Sequence, residues 1–229
     1  ATEDGTDVTI TPAAPTSTVR PPGQPFTVPL DAGEVYYVKA YIAGQGGSLT
    51  GSIIEASKPV AVYSGAESGW VPVQGGNPSA YLNPMAEQMI PVRYLGREYV
   101  AVPFRSRDRG DTYRVVATED NTSVTIGGAP AIALATAGAW TEDILSVPSV
   151  ITADKPVLVA QYANSAQWDA DTNEYGDGSM LLLVPTDRYM SCHYFPAGML
   201  LADVSIESNT SVSLNDQSWL EAADTPQLA

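Results

Sequence analysis

The sequence holds one cysteine, Cys192, and one histidine, His193. A lone cysteine excludes an internal disulfide, and no second cysteine exists to build a zinc site. Basic residues are scarce as well: 11 Lys and Arg stand against 26 Asp and Glu, a formal net charge of −15. Such a surface repels a phosphate backbone instead of releasing its counterions, which argues against nucleic acid as a partner. No apolar run approaches the ~18 residues of a membrane helix, so no membrane span is expected in this segment. The first residues are acidic and polar, unlike the apolar centre of a signal peptide. The expectation is a mature terminus or a piece of a longer protein.

What is abundant is punctuation. Eighteen prolines and 19 glycines, dispersed along 229 residues, leave little room for long helices. Between them lie short β-branched or alternating runs, among them "TDVTITP", "GEVYYVKAYIA", "PVAVYSG", "REYVAVPF" and "DTYRVVA". Their spacing predicts an all-β fold of antiparallel sandwiches. Only "NPMAEQMI" at 83–90 reads as helical, with Asn83 as N-cap and Pro84 in the first turn.

The chain also repeats itself. "ATEDGTDVTI" at 1–10 returns as "ATEDNTSVTI" at 117–126, eight identities in ten positions. "EASKPVAVYSGAES" at 55–68 answers "TADKPVLVAQYANS" at 152–165, and "LDAGEVYYV" at 30–38 answers "LATAGAWTEDI" at 134–144 more loosely. A third copy begins with "SIESNTSVSL" at 205–214. The runs "DTYRVV" at 111–116 and "MLLADV" at 199–204 precede the second and third lines, and no such run precedes the first. The repeat predicts two tandem related antiparallel β-sandwich units, 1–116 and 117–229, the latter including the start of a third copy from about 205. In "DTYRVVATEDNTSVTI" at 111–126, "TEDNTS" between two strand runs predicts a hairpin. Lys-Pro-Val predicts the first positions of a strand whose alternating valines point inward.

Laid end to end, "KPVAVYSGAES", "MAEQMIPVRYLGREYVAVPFRSRDRGDTYRVVATEDNTSVTI", "ITADKPVLVAQY" and "GDGSMLLLVPTDRYMSCHYF" resemble the successive motifs of the N-terminal domain of the IgG-Fc-binding protein family. The resemblance runs in order across almost the whole chain. It implies an extracellular, secreted or cell-surface module that adheres or binds and does no catalysis. Cysteines that commonly flank the segment equivalent to "SGAES…MAEQM" in animal members are missing here, which suits a microbial version.

Candidate sites lie in loops. Trp70 with Glu67, and Trp168 with Tyr175 in the corresponding loop of the second copy, offer aromatic and acidic surface for a protein or glycan ligand. In "NSAQWDADTNEYGDG", Asp169, Asp171 and Asn173 form a D-x-D-x-N start suited to calcium. The remainder departs from the EF-hand loop, with Glu174 where glycine belongs and Met180 where the bidentate Glu belongs, so a solvated acidic loop is the alternative. Cys192 and His193 are neighbours in a strand-like run and point to opposite faces, which disfavours a nucleophilic dyad. Arg109-Gly110-Asp111 reads as a turn despite matching an integrin-recognised tripeptide. The function expected is an extracellular adhesion or ligand-binding module of a larger protein. Its alternatives are a spacer or fibre-forming module that pairs strands with neighbouring domains or subunits and, more remotely, a carbohydrate-active enzyme using Glu67 or Asp169.

Overall fold

The computed structural model of the chain describes residues 1–41, 47–69, 71–72, 83–104, 109–165, 168 and 178–190. They form an all-β protein of antiparallel strands: β1 Thr6–Thr11, β2 Phe26–Leu30, β3 Ile53–Ala56, β4 Tyr63–Gly69, β5 Asn83–Gln88, β6 Gly96–Ala101, β7 Asp111–Ala117, β8 Thr122–Ile126, β9 Ile132–Leu134, β10 Trp140–Leu145, β11 Ser149–Ala163 and β12 Ser179–Leu182. Single 3-10 turns lie at Val92–Tyr94 and Thr186–Arg188. The strands make a three-stranded sheet in the order β2-β1-β3, a two-stranded β4-β5 sheet, and a seven-stranded sheet around β11.

The large sheet is four bent lanes. At shared residues of β11, β6 and β8 must lie on opposite sides, as must β7 and β12. β7 and β8 therefore follow one another along one side of β11, and β6 and β12 along the other. β9 and β10 run beyond them, paired with β8 and β7. Each lane bends midway, β11 through a register shift between Thr152 and Val157. The bends curl the sheet into a half-barrel around Tyr99, Tyr113, Val115, Val124, Ile151, Val157 and Val159, all fully buried. Each buried aliphatic contributes roughly 1.5–3 kcal/mol relative to exposure. The Tyr99 hydroxyl donates to Val157 O at 2.6 Å and accepts from Gly96 N at 3.0 Å. Burial pushes the Tyr99 and Tyr113 phenols up, so both remain protonated.

The repeated line sits at the bend and makes the same bonds in both copies. Thr118 Oγ1 donates to Pro156 O at 2.6 Å, and Thr2 Oγ1 to Pro59 O at 2.7 Å. Thr122 Oγ1 donates to Glu119 O at 2.7 Å, and Thr6 Oγ1 to Glu3 O at 2.6 Å. Lys155 Nζ donates to Asp120 O, as Lys58 Nζ does to Asp4 O. Asp120 Oδ1 accepts from Ala137 N at 2.8 Å, and Asp4 Oδ1 from Ala32 N at 2.9 Å. Asn121 (φ 55°) and Gly5 (φ 62°) are both left-handed, which explains why these two residue types occupy this one position.

Three local expectations are corrected. β7 and β8 do not form a hairpin: the chain steps at Thr118–Asn121 and continues in the same direction, because both strands take β11 as their partner. Residues 83–88 form β5 and no helix; pairing with β4 overrides their helical propensity, Met85 plugs inward, and Pro84 falls at the register shift, where no ladder N–H is needed. Pro156 likewise lies within the irregularity of β11 and Pro59 lies between strands, so neither starts one. The inward valines do appear in the second copy, at Val157 and Val159.

Because the first copy carries Gly5 where the second carries Asn121, Asn121→Gly is expected to change stability by under about 0.5 kcal/mol. Asn121→Val, with a β-branched side chain in the left-handed region, is expected to cost at least about 1–2 kcal/mol in urea denaturation.

Candidate functional site

Of the residues singled out from the sequence, Trp70, Asp169, Asp171, Asn173 and Tyr175 lie outside the described residues, as do Cys192 and His193. Glu67 is described and sits in β4, where the register with β5 shifts between Ala66 and Gly69. Its exposed carboxylate accepts from Lys39 Nζ at 3.0 Å and Tyr37 Oη at 3.1 Å. The hydrogen bond from Lys39, then that from Tyr37, then the lysine charge hold its carboxyl below the usual range. A carboxylate held ionised in this way is unsuited to protonate a glycosidic leaving group, which calls for a raised pKa.

Trp168 is half-buried, donating through Nε1 to Arg109 O at 3.3 Å and through its backbone N–H to Ser165 O at 2.8 Å. Ser165 N in turn donates to Val71 O at 2.9 Å, so the chain just after β4 and the chain just after β11 meet. The Arg109-Gly110-Asp111 stretch is a turn, with Gly110 at φ 77°. Asp111 is fully buried, its Oδ2 accepting from Phe104 N at 2.6 Å and Gln161 Nε2 at 2.9 Å. A receptor cannot read it there.

A different part of the surface is concave and open to solvent. Between the β1-β3 sheet and the turn leading into β10 lies a cleft of about 530 Å³, walled by Pro12, Ser48 and Thr50 on one side and Thr136, Ala137 and Trp140 on the other. That volume suits a small ligand or a side chain of a larger one. Its two walls meet where Gly51 and Gly138, both at positive φ, approach so closely that a Cβ on either would fall 2.0–2.3 Å from the other's carbonyl oxygen.

Behind the wall stands Arg114. Its guanidinium donates to Glu142 Oε2 from Nε at 3.0 Å and from Nη2 at 2.7 Å, and from Nη1 to Thr50 Oγ1 at 2.9 Å. It also lies 4.5 Å from the ring centroid of Trp140 and 5.2 Å from that of Tyr162. Arg114 and Glu142 are direct cross-strand partners in the β7-β10 ladder. Trp140, 40% exposed, is thereby fixed in orientation with part of its surface toward solvent. Among the described residues lining the cleft, none is an acid, base or thiol. The arrangement offers an aromatic surface, hydroxyls and backbone polar groups, which suit binding. Sequence reasoning passed over Trp140 and Arg114. The alternation of "DTYRVV" and the "AGAWTED" stretch place them on strands, but only the β7-β10 register puts them together.

The family model described as IgGFc binding protein matches residues 1–224 of the chain. No curated protein and no solved structure matches it significantly.

The Glu142 side chain is only 4% exposed. Replacing its partner, as in Arg114→Met, is expected to cost about 3 kcal/mol in urea denaturation by stranding a buried carboxylate. The double variant Arg114→Met/Glu142→Leu is expected to recover most of that loss.

Proposed function

The chain belongs to the IgGFc binding protein family, and on that premise we propose that it is a non-catalytic adhesion or ligand-binding module of a secreted or cell-surface protein. The observation that carries the reading is the cleft beside Trp140, a concave site with an arginine-braced indole and no titratable side chain in its described lining. Its ligand is an extracellular protein or glycan. An indole presenting apolar surface among threonine and serine hydroxyls suits the apolar faces and hydroxyl rims of a sugar as well as a protein side chain. The family description makes IgG Fc a ligand to test without making it the answer.

The loop ends around Glu67 and Trp168, with Trp70 and Tyr175 beside them in sequence, are a second contact surface on the same module. They lie after β4 and β11, which the Ser165–Val71 bond draws together.

The test is an array of glycans and extracellular proteins, IgG Fc included, followed by titration of the hits. Trp140→Ala is expected to weaken binding about tenfold or more while leaving the circular dichroism of the fold intact. A ligand bound equally well by Trp140→Ala but lost by Trp168→Ala would move the site to the loop ends. Turnover of a polysaccharide by the wild type would overturn the non-catalytic reading.

A further inference from the structure

The charges at the cleft beside Trp140 are committed within the fold. Nε and Nη2 of Arg114 both donate to Glu142 Oε2, and Nη1 donates to Thr50 Oγ1. Glu142, its side chain 4% exposed, is out of a ligand's reach. The wall is therefore neutralised by its own pair.

Backbone donors along the walls are spent in the same way. Ala13 N donates to Ser52 Oγ, Ala137 N to Asp120 Oδ1, Gly138 N to Ala117 O and Ala139 N to Thr136 O. Anion sites are made from unspent N–H groups or unpaired cations, and these walls have committed theirs. The net charge of −15 adds a general repulsion of anions. A cation is opposed locally, because the Arg114 guanidinium already lies 4.5 Å from the Trp140 ring centroid and repels a second positive charge there. An uncharged ligand is what the cleft suits.

Thr50 adds a direction. Its Oγ1 accepts from Arg114 Nη1 at 2.9 Å and from Ser48 Oγ at 2.9 Å. A hydroxyl oxygen has two acceptor positions and one hydrogen. Both acceptor positions are filled, so a ligand meets Thr50 as a donor. The guanidinium draws electron density from Oγ1 and strengthens that donor. A purely apolar ligand would cover the hydrogen without pairing it, at the cost of desolvating a polar group. The fitting ligand therefore carries an acceptor oxygen beside an apolar surface.

A sugar ring has both. Its C–H face packs on an indole, and its hydroxyl and ring oxygens stand around the rim. The hydroxyl-bearing Thr11 and Thr136 line the same cleft and can serve that rim as donors or acceptors. A proline-rich peptide, another uncharged ligand, docks in grooves lined with aromatic rings, whereas Trp140 is the single ring among the described lining residues. We propose, resting on the reading of this cleft as the binding site, that it holds an uncharged sugar ring stacked against Trp140, with one ligand oxygen accepting from the Thr50 hydroxyl. Discrimination against acidic sugars follows from the internal pairing of Arg114 with Glu142.

The experiment titrates the full chain with the methyl glycosides of glucose, galactose, mannose and N-acetylglucosamine, following tryptophan fluorescence, with glucuronic and sialic acid glycosides as acidic controls. At least one neutral glycoside is expected to bind, at least about tenfold more tightly than either acidic one, and with affinity constant within about twofold from about 50 to about 500 mM NaCl. Thr50→Val is expected to weaken that binding about tenfold, while Thr50→Ser, which keeps the hydroxyl, stays within about threefold of wild type. A test that needs no variant uses deoxy analogues of the bound glycoside on the wild-type chain, where one position is expected to lose about tenfold; against Thr50→Val the same analogue is expected to lose nothing further. Binding of no neutral glycoside, preference for an acidic one, a peptide bound at Trp140 in their place, or deoxy analogues that all bind like the parent overturns the inference. Each of these leaves the cleft as the binding site wherever Trp140→Ala abolishes binding of the ligand that is found; a ligand indifferent to Trp140→Ala overturns that reading too.

Discussion

A β lane that bends must satisfy, at the bend, the backbone groups that its ladder no longer reaches. Here the task falls to a lysine. Lys155 reaches from the irregularity of β11 to the carbonyl of Asp120, while Thr118 and Asp120 close the remaining bonds across the same gap. Lys58, Thr2 and Asp4 do the same in the first copy. Without the bend the four lanes would make a flat sheet with no enclosed face, and Tyr99, Tyr113 and Ile151 would have no common core. The bend also sets Gly138, which turns the chain from β9 into β10, against Gly51. That close approach is what gives the cleft its two walls.

Arg114 belongs to β7, and it is Arg114 that braces Trp140 and reaches Thr50 across the cleft. Tyr37 and Tyr63 are exposed as well, and Tyr37 donates to the Glu67 carboxylate.

Several features were legible in the residues. The alternating runs became strands, and the repeated line became a repeated set of bonds down to the Gly5 and Asn121 backbone angle. Other readings failed for definable reasons. "TEDNTS" between strand runs satisfies the local chemistry of a reversal and of a step equally well. The difference lies with β11, some thirty residues later, which receives both flanking strands on one side. "NPMAEQMI" has helix-forming residues and a helix-starting Asn-Pro, yet β4 provides a ladder, and burial of Met85 suits an alternating period. Trp140 and Arg114 escaped notice because neither is unusual in its own neighbourhood; their meaning comes from the register of β7 against β10.

The sequence by itself determined the class of the protein: antiparallel β, rich in turns, acidic, built on a repeated line and matching one family along almost its whole length. These are properties of local pattern and composition, which each segment carries with it. Only the tertiary structure decided which strands share a lane, where the chain steps instead of turning back, and that a tryptophan and an arginine from neighbouring strands frame a cleft. Those outcomes depend on hydrogen-bond ladders between segments far apart in the chain, and a ladder is a property of two segments that neither carries alone.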